Sequence, residues 1–133
     1  MEATTLALIF AATSQAYSLP PGLLSSICFI ESRHEPKTLV ENDKGSPSFG
    51  ICQIKEATAR GLGFKGTKTQ LLQPKTNIIY AAKYLRHQLD RYHFDIIKAV
   101  AAYNAGSHRA DTHGQPKNKH YVQKVLLAWS ELR

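Results

Sequence analysis

Glu31 is the residue of this 133-residue chain whose placement most suggests chemistry. It lies in ICFIES, on an apolar stripe shared with Leu24, Ile27 and Cys28 at i, i+3, i+4, i+7 spacing. That stripe predicts a helix, and Glu31 falls in its last turns. Desolvation disfavours a carboxylate there, and so does the partial negative charge at a helix C-terminus. A carboxyl group held protonated near neutral pH is the general acid that glycosidic cleavage needs. The segment 48–54, with Ser48 and Gln53 around Gly50, can return beside it, and Tyr103, Asn104 and Tyr121 are further polar residues on the helices that follow. Taken singly, each has an ordinary role. Glu31 could sit at the edge of its stripe and reach water, Ser48 and Gln53 could satisfy turns, the tyrosines could be core aromatics and Asn104 a helix-terminal residue.

A retaining glycosidase needs a second carboxylate about 5–5.5 Å from the acid, and an inverting one needs it about 6.5–9.5 Å away. Glu35, Glu41, Asp43 and Glu56 are the candidates near Glu31 in sequence. Glu35 precedes a proline that turns the chain, and Glu41 and Asp43 fall in a loop, so none is visibly fixed across a cleft. Metal chemistry is poorly supported, because His34-Glu35 is followed by Thr38 where the helical zinc motif requires a second histidine. Gly61, Gly63 and Gly66 follow no buried strand and read as loop glycines rather than a phosphate cradle.

The positioning elements are mostly helices. Leu6, Ile9, Phe10, Thr13 and Tyr17 predict a first helix over about 3–17. Pro20-Pro21 break it, and the helix of Glu31 is expected over 21–34, stopped by Pro36. Residues 36–47 read as loop, with 48–54 a short extended or irregular segment returning beside Glu31. A brief helix is expected over 55–61, a helical turn over 69–72 and a long helix from Pro74 to about Tyr92. Residues 95–104 are helical until Gly106, 108–119 form a polar basic loop, and 119–132 form the last helix. The expected whole is a single mainly helical domain over 1–133, a compact globule with a short irregular or β segment beside the cleft.

Charge is unevenly placed. Residues 1–64 hold 5 basic and 6 acidic side chains, and residues 65–133 hold 12 and 4, within a net charge of +7. Such a basic half suits an anionic polymer, although a solvated basic surface explains it equally well. No nucleic-acid reading motif accompanies the charge. Cys28 and Cys52 show no metal-ligand spacing, and each lies in an apolar run. They read as two buried free thiols, with a disulfide across the cleft left open; such a bond would contribute roughly 3 kcal/mol. Residues 4–16 resemble the core of a signal peptide, but Glu2 stands where a basic n-region belongs. The run is too short and too interrupted to span a bilayer. Export is therefore expected through another route or a leader outside this sequence.

The motifs fall in one order: Glu31-Ser32 with Pro36, Ser48-x-Gly50-x-x-Gln53, Ala102-Tyr103-Asn104-Ala105-Gly106, then Tyr121-Val122. With Asn77–Asp90 (NIIYAAKYLRHQLD) between them, this pattern resembles the family-1 catalytic domain of the soluble lytic transglycosylases, in the lysozyme superfamily. The likeness runs from about Leu6 to Leu127. It implies a lysozyme-like α+β fold and cleavage of peptidoglycan glycan strands between N-acetylmuramic acid and N-acetylglucosamine. It implies Glu31 as the single catalytic acid and base, with no cofactor and no metal. Ser48, Gln53, Tyr103 and Asn104 would line the substrate cleft, Gly50 would allow close backbone approach, and Tyr121 would face the acid. Two departures stand out. Lys117-Asn118-Lys119-His120 replaces a segment where relatives often carry an acid and an arginine, and Cys52 stands where methionine is common. Alternatives on the same residues are a true lysozyme, hydrolysing the same bond, and a non-catalytic cell-wall binding or structural module. A monomer acting at the bacterial wall is expected, with no nucleic-acid partner and no transmembrane segment. Delivery by a phage, or work within a larger phage or cell-envelope machine, fits the same reading.

Overall fold

The computed structural model describes residues 1–132, with the backbone alone for Asn42. Seven helices and a small sheet succeed one another: α1 (Ala3–Ala16), α2 (Leu23–Ser32), β1 (Leu39–Asp43), β2 (Ser46–Phe49), β3 (Ile54–Lys55), α3 (Glu56–Gly61), α4 (Lys68–Leu71), α5 (Pro74–Arg91), α6 (Ile96–Ala105) and α7 (Lys119–Leu132). Helix α5 lies at the centre. Proline at its first turn suits the orphan donors there, and Ile78, Ala81, Ala82, Leu85 and Leu89 form its buried stripe. Helices α1 and α6 pack against it, and α2 packs against α7. One hydrophobic core joins these helices to Phe49, Ile51 and Ile54 of the sheet region.

Helix α2 is shorter at both ends than the sequence suggests. Gly22, in the left-handed region (φ 81°), is its N-cap, and Arg33 and His34 are both left-handed (φ 56° and 63°). The backbone therefore leaves the helix at Ser32, before Pro36 acts. Glu31 stays in the last turn.

The segment 36–47, read from sequence as loop, instead contains β1 and the start of β2. The two strands pair antiparallel, Leu39 opposite Phe49 and Val40 opposite Ser48, and β2 pairs antiparallel with β3. Lys44 and Gly45 join β1 to β2, and both have positive φ, the handedness a two-residue hairpin loop of type I′ requires. The register shifts between Val40 and Asp43, so β1 carries an extra residue just before the turn.

The cysteines are a second correction. Cys28 and Cys52 form a disulfide, both sulfurs sealed from solvent, rather than two free thiols. Each cysteine lies in an apolar run because the bond crosses the core between α2 and residues 50–53. Cross-linking positions 24 apart contributes about 3 kcal/mol through the unfolded chain. The same segment is fixed by Asn77, fully buried at the start of α5. Its amide nitrogen donates to the carbonyls of Phe49 (2.8 Å) and Leu71 (2.8 Å), while its oxygen accepts from the Cys52 N–H (2.8 Å). Gly50 makes this approach possible. Its φ is 79°, and a Cβ there would stand 2.5 Å from the Asn77 amide nitrogen.

Three buried backbone groups depend on one side chain, and each left unpaired costs about 1–3 kcal/mol. Asn77→Ala is expected to lower the unfolding free energy by roughly 3 kcal/mol or more. Urea denaturation with the disulfide intact would measure this; a loss below about 1 kcal/mol would contradict the assigned role.

Candidate active site

Glu31, Asp43, Lys44, Ser46, Ser48, Gln53, Ile54, Lys55, Thr58, Tyr84, Tyr103, Asn104, Ala105 and Gly106 line a cleft of about 290 Å³. Its walls are the end of α2, the β-hairpin and the end of α6. A larger apolar groove, about 610 Å³, runs between α1 and α2 on residues other than these.

Two tethers hold the end of α2 against the cleft wall. The Ser32 hydroxyl donates to the Ile51 carbonyl (2.6 Å), and the Cys28–Cys52 bond lies one turn earlier. Glu31 is thereby fixed in direction as well as position. Its Oε2 accepts a hydrogen bond from the Tyr121 hydroxyl of α7 (2.8 Å). Burial pushes its carboxyl up to about 7, and the nearby Asp43 charge pushes the same way. The Tyr121 hydroxyl, the Lys44 ammonium and the Asn104 amide pull in the opposite direction without cancelling burial. The Tyr121 phenol is itself raised well above its usual range by burial and by Glu31, so it remains a donor. Near neutral pH the carboxyl is poised between its two forms.

Asn104 is oriented by its neighbours. Its side-chain oxygen accepts from Asn118 Nδ2 (3.0 Å) and from Lys44 Nζ (3.1 Å), while Lys44 also donates to its backbone carbonyl (3.0 Å). With the oxygen so occupied, the amide nitrogen is the group left for Glu31. The Tyr103 ring lines the cleft beside Tyr84, centroids 5.1 Å apart, and its hydroxyl donates to the Cys52 carbonyl (2.8 Å). Ser48 and Gln53 line the cleft too, but bond to groups other than Glu31. The Ser48 hydroxyl donates to the Asp43 carboxylate (2.7 Å), and Gln53 Nε2 donates to the carbonyls of Gly50 (3.0 Å) and Thr38 (3.1 Å).

All six residues singled out in the sequence thus stand at or beside one cleft. Three others were not singled out as site residues: Lys44, Tyr84 and Asn118. Asp43 is a candidate second carboxylate in the sequence, expected there to lie unfixed in a loop. Asp43 is held by Ser48, and Lys55 Nζ donates to its backbone carbonyl as well as to Ser46 Oγ (2.8 Å). The loop expected to leave Asp43 unfixed is a paired hairpin that carries it to the cleft. Asn118 lies in the departing segment 117–120, and Asn77–Asp90 contains Tyr84. No spacing rule points to either.

A chain of these elements around one half-buried glutamate has a lysozyme-like form, and comparison with known proteins makes the family specific. A sequence profile of the transglycosylase SLT domain matches residues 8–125. The chain belongs to that family. It is 35% identical over 115 residues to a transglycosylase of Enterobacteria phage PRD1, covering 86% of this chain and 39% of that protein. It is 31% identical over 126 residues to the peptidoglycan transglycosylase gp16 of Escherichia phage T7, covering 92% of this chain and 9% of that one. Protein IpgF of Shigella flexneri is 33% identical over 95 residues, covering 70% of this chain and 62% of its own length. The chain therefore spans well under half of the two phage relatives. Among solved structures, an inactive mutant of the lytic transglycosylase Slt from Pseudomonas aeruginosa superposes with a TM-score of 0.76 at 22% identity, over 92% of this chain and 23% of that one. The 70-kDa soluble lytic transglycosylase of Escherichia coli gives 0.64 at 22% identity, over 92% and 20%. The lysozyme-like fold is common to all three chains.

The Tyr121 hydrogen bond favours the ionised form of Glu31, so its loss must raise the carboxyl pKa. Tyr121→Phe is expected to move Glu31 above its value of about 7. Carbon-detected NMR titration of the side-chain carboxyl in both proteins would show this; an unchanged or lower value would contradict it.

Proposed function

We propose that the chain is a peptidoglycan lytic transglycosylase that cleaves the β-1,4 bond between N-acetylmuramic acid and N-acetylglucosamine. The observation that carries this reading is Glu31, fixed at the cleft and raised to about 7. In the first step, protonated Glu31 gives its proton to the bridging oxygen as the bond from muramyl C1 breaks. N-acetylglucosamine leaves with a free hydroxyl, and the substrate's N-acetyl oxygen stabilises positive charge at C1. Glu31, now a carboxylate, takes the proton of the muramyl 6-hydroxyl as that oxygen bonds to C1. The product is a 1,6-anhydromuramyl end; no water is consumed, and Glu31 is restored as an acid. Tyr121 and Asn104 steady the carboxylate between the two steps. Ser48, Gln53 and Tyr103 shape the cleft for the N-acetylated sugar.

A single domain over residues 1–133, working as a monomer on glycan strands at the cell wall, fits this reading. The disulfide suits an oxidising compartment outside the cytoplasm. No helix among the described residues is long and apolar enough to cross a membrane. Phage delivery, or action within a larger envelope-penetrating machine, is consistent with the relatives from PRD1 and T7.

Asp43 favours a second reading. A carboxylate held in the same cleft supplies the general base that an inverting hydrolase uses to activate water. The protein would then be a lysozyme.

Mass spectrometry of sugars released from purified peptidoglycan tests the first reading. Glu31→Gln is expected to lower release by 10²–10⁴-fold, the usual worth of general acid–base catalysis, and the wild type should yield anhydromuramyl ends. Full activity in Glu31→Gln would sink the assignment. The same assay separates the second reading through Asp43→Asn. Under the transglycosylase mechanism this variant still forms anhydromuramyl ends. Reducing muramyl ends from the wild type that disappear in Asp43→Asn would establish hydrolysis instead.

A further inference from the structure

Two ammonium groups line the cleft, and their surroundings differ. Lys55 is saturated, donating to Ser46 Oγ (2.8 Å), the Ser46 carbonyl (3.2 Å) and the Asp43 carbonyl, and so ties the hairpin to β3. Lys44 stands at the hairpin tip and reaches across to α6. Its acceptors there, the two Asn104 oxygens, are both neutral. Among the described residues it forms no ion pair; the side-chain pairs are Arg60–Glu56 and Arg86–Asp90. The backbone makes its position more pointed. Lys44 has φ 55°, a left-handed turn position that Asn or Gly occupies at lower cost. A long cation occupies that corner and projects its charge over the cleft, close enough to Glu31 to favour the carboxylate form.

A glycan built only of N-acetylglucosamine offers such a cation no anion. A muramyl glycan does, through the lactyl carboxylate where the peptide is missing or through carboxylates of the peptide stem where it is present. We propose that Lys44 is a specificity residue, whose ammonium exchanges a neutral Asn104 oxygen for a carboxylate on the muramyl side of the substrate. The proposal rests on the glycan-cleaving reading above. Hydrogen bonds to an ionised acceptor are roughly twice as strong as those to a neutral one.

Calorimetric binding in a Glu31→Gln background, where turnover is blocked, tests this apart from catalysis. Three tetrasaccharide probes suffice: chitotetraose, a peptide-stripped muramyl tetrasaccharide with free lactyl carboxylates, and the same sugar carrying alanyl-glutamate stems. At least one carboxylate-bearing probe is expected to bind about tenfold tighter than chitotetraose. That ratio should fall to near one on adding Lys44→Gln and persist with Lys44→Arg. Preference for the stripped probe assigns the lactyl group, and preference for the stem-bearing probe assigns the peptide. A ratio that Lys44→Gln leaves unchanged, or no carboxylate preference at all, overturns the role of Lys44 while leaving the enzymatic reading intact. Failure of all three probes to bind overturns both.

Discussion

The site depends on the amide of Asn77. Residues 49–53 have too little regular structure to satisfy their own backbone, yet they must form the wall against which α2 ends. One buried side chain reaches them from α5, the central helix, and meets a donor and an acceptor of that wall at once. Gly50 leaves the room, the Cys28–Cys52 bond adds a covalent tie, and Ser32 anchors the helix end to the Ile51 carbonyl. The position of Glu31 follows from these contacts. Its chemistry is set by groups from other elements.

Four of those groups pull on one proton. Burial and Asp43 hold it on the carboxyl; Tyr121, Lys44 and Asn104 ease its departure. Under the proposed mechanism the acid also serves as the base, and such opposition suits both roles, because neither form is then far from neutral pH. The elements responsible are distant in the chain: the hairpin tip, the end of α6 and the first turn of α7. Asn104 is where they meet, since one side-chain oxygen receives both Lys44 and Asn118. Hairpin and helices therefore share an anchor at the mouth of the cleft.

The helices were legible because burial on a helix leaves a 3.6-residue signature, as in Ile78, Ala81, Ala82, Leu85 and Leu89 of α5. Glu31 was legible for the converse reason, as a charge interrupting such a stripe, and the ordered motifs supplied Ser48, Gln53, Tyr103, Asn104 and Tyr121. The hairpin was not. Leu39 to Asp43 lack a clean two-residue alternation, Pro47 argues against a strand, and Lys-Gly is a weaker turn signal than Asn-Gly. Its pairing is justified only by partners across the turn, and with the hairpin went the placement of Asp43 and Lys44. Asn77 and Asn118 were hidden differently. A buried amide answers backbone groups that become orphans only after the chain has folded, so no local spacing announces it. The disulfide was half visible, since apolar surroundings suit a buried thiol and a buried bridge alike.

That bridge also carries information about time. Bonds between cysteines persist where the environment is oxidising, and in the reducing cytosol the same thiols stay apart. A newly made chain in such a cytosol holds the wall beside Glu31 by hydrogen bonds alone, without the contribution of the cross-link. Once oxidised, the sulfurs are closed off from solvent and from small reductants. The covalent closure thus falls at the wall of the cleft, a short way along α2 from the glutamate it helps to hold.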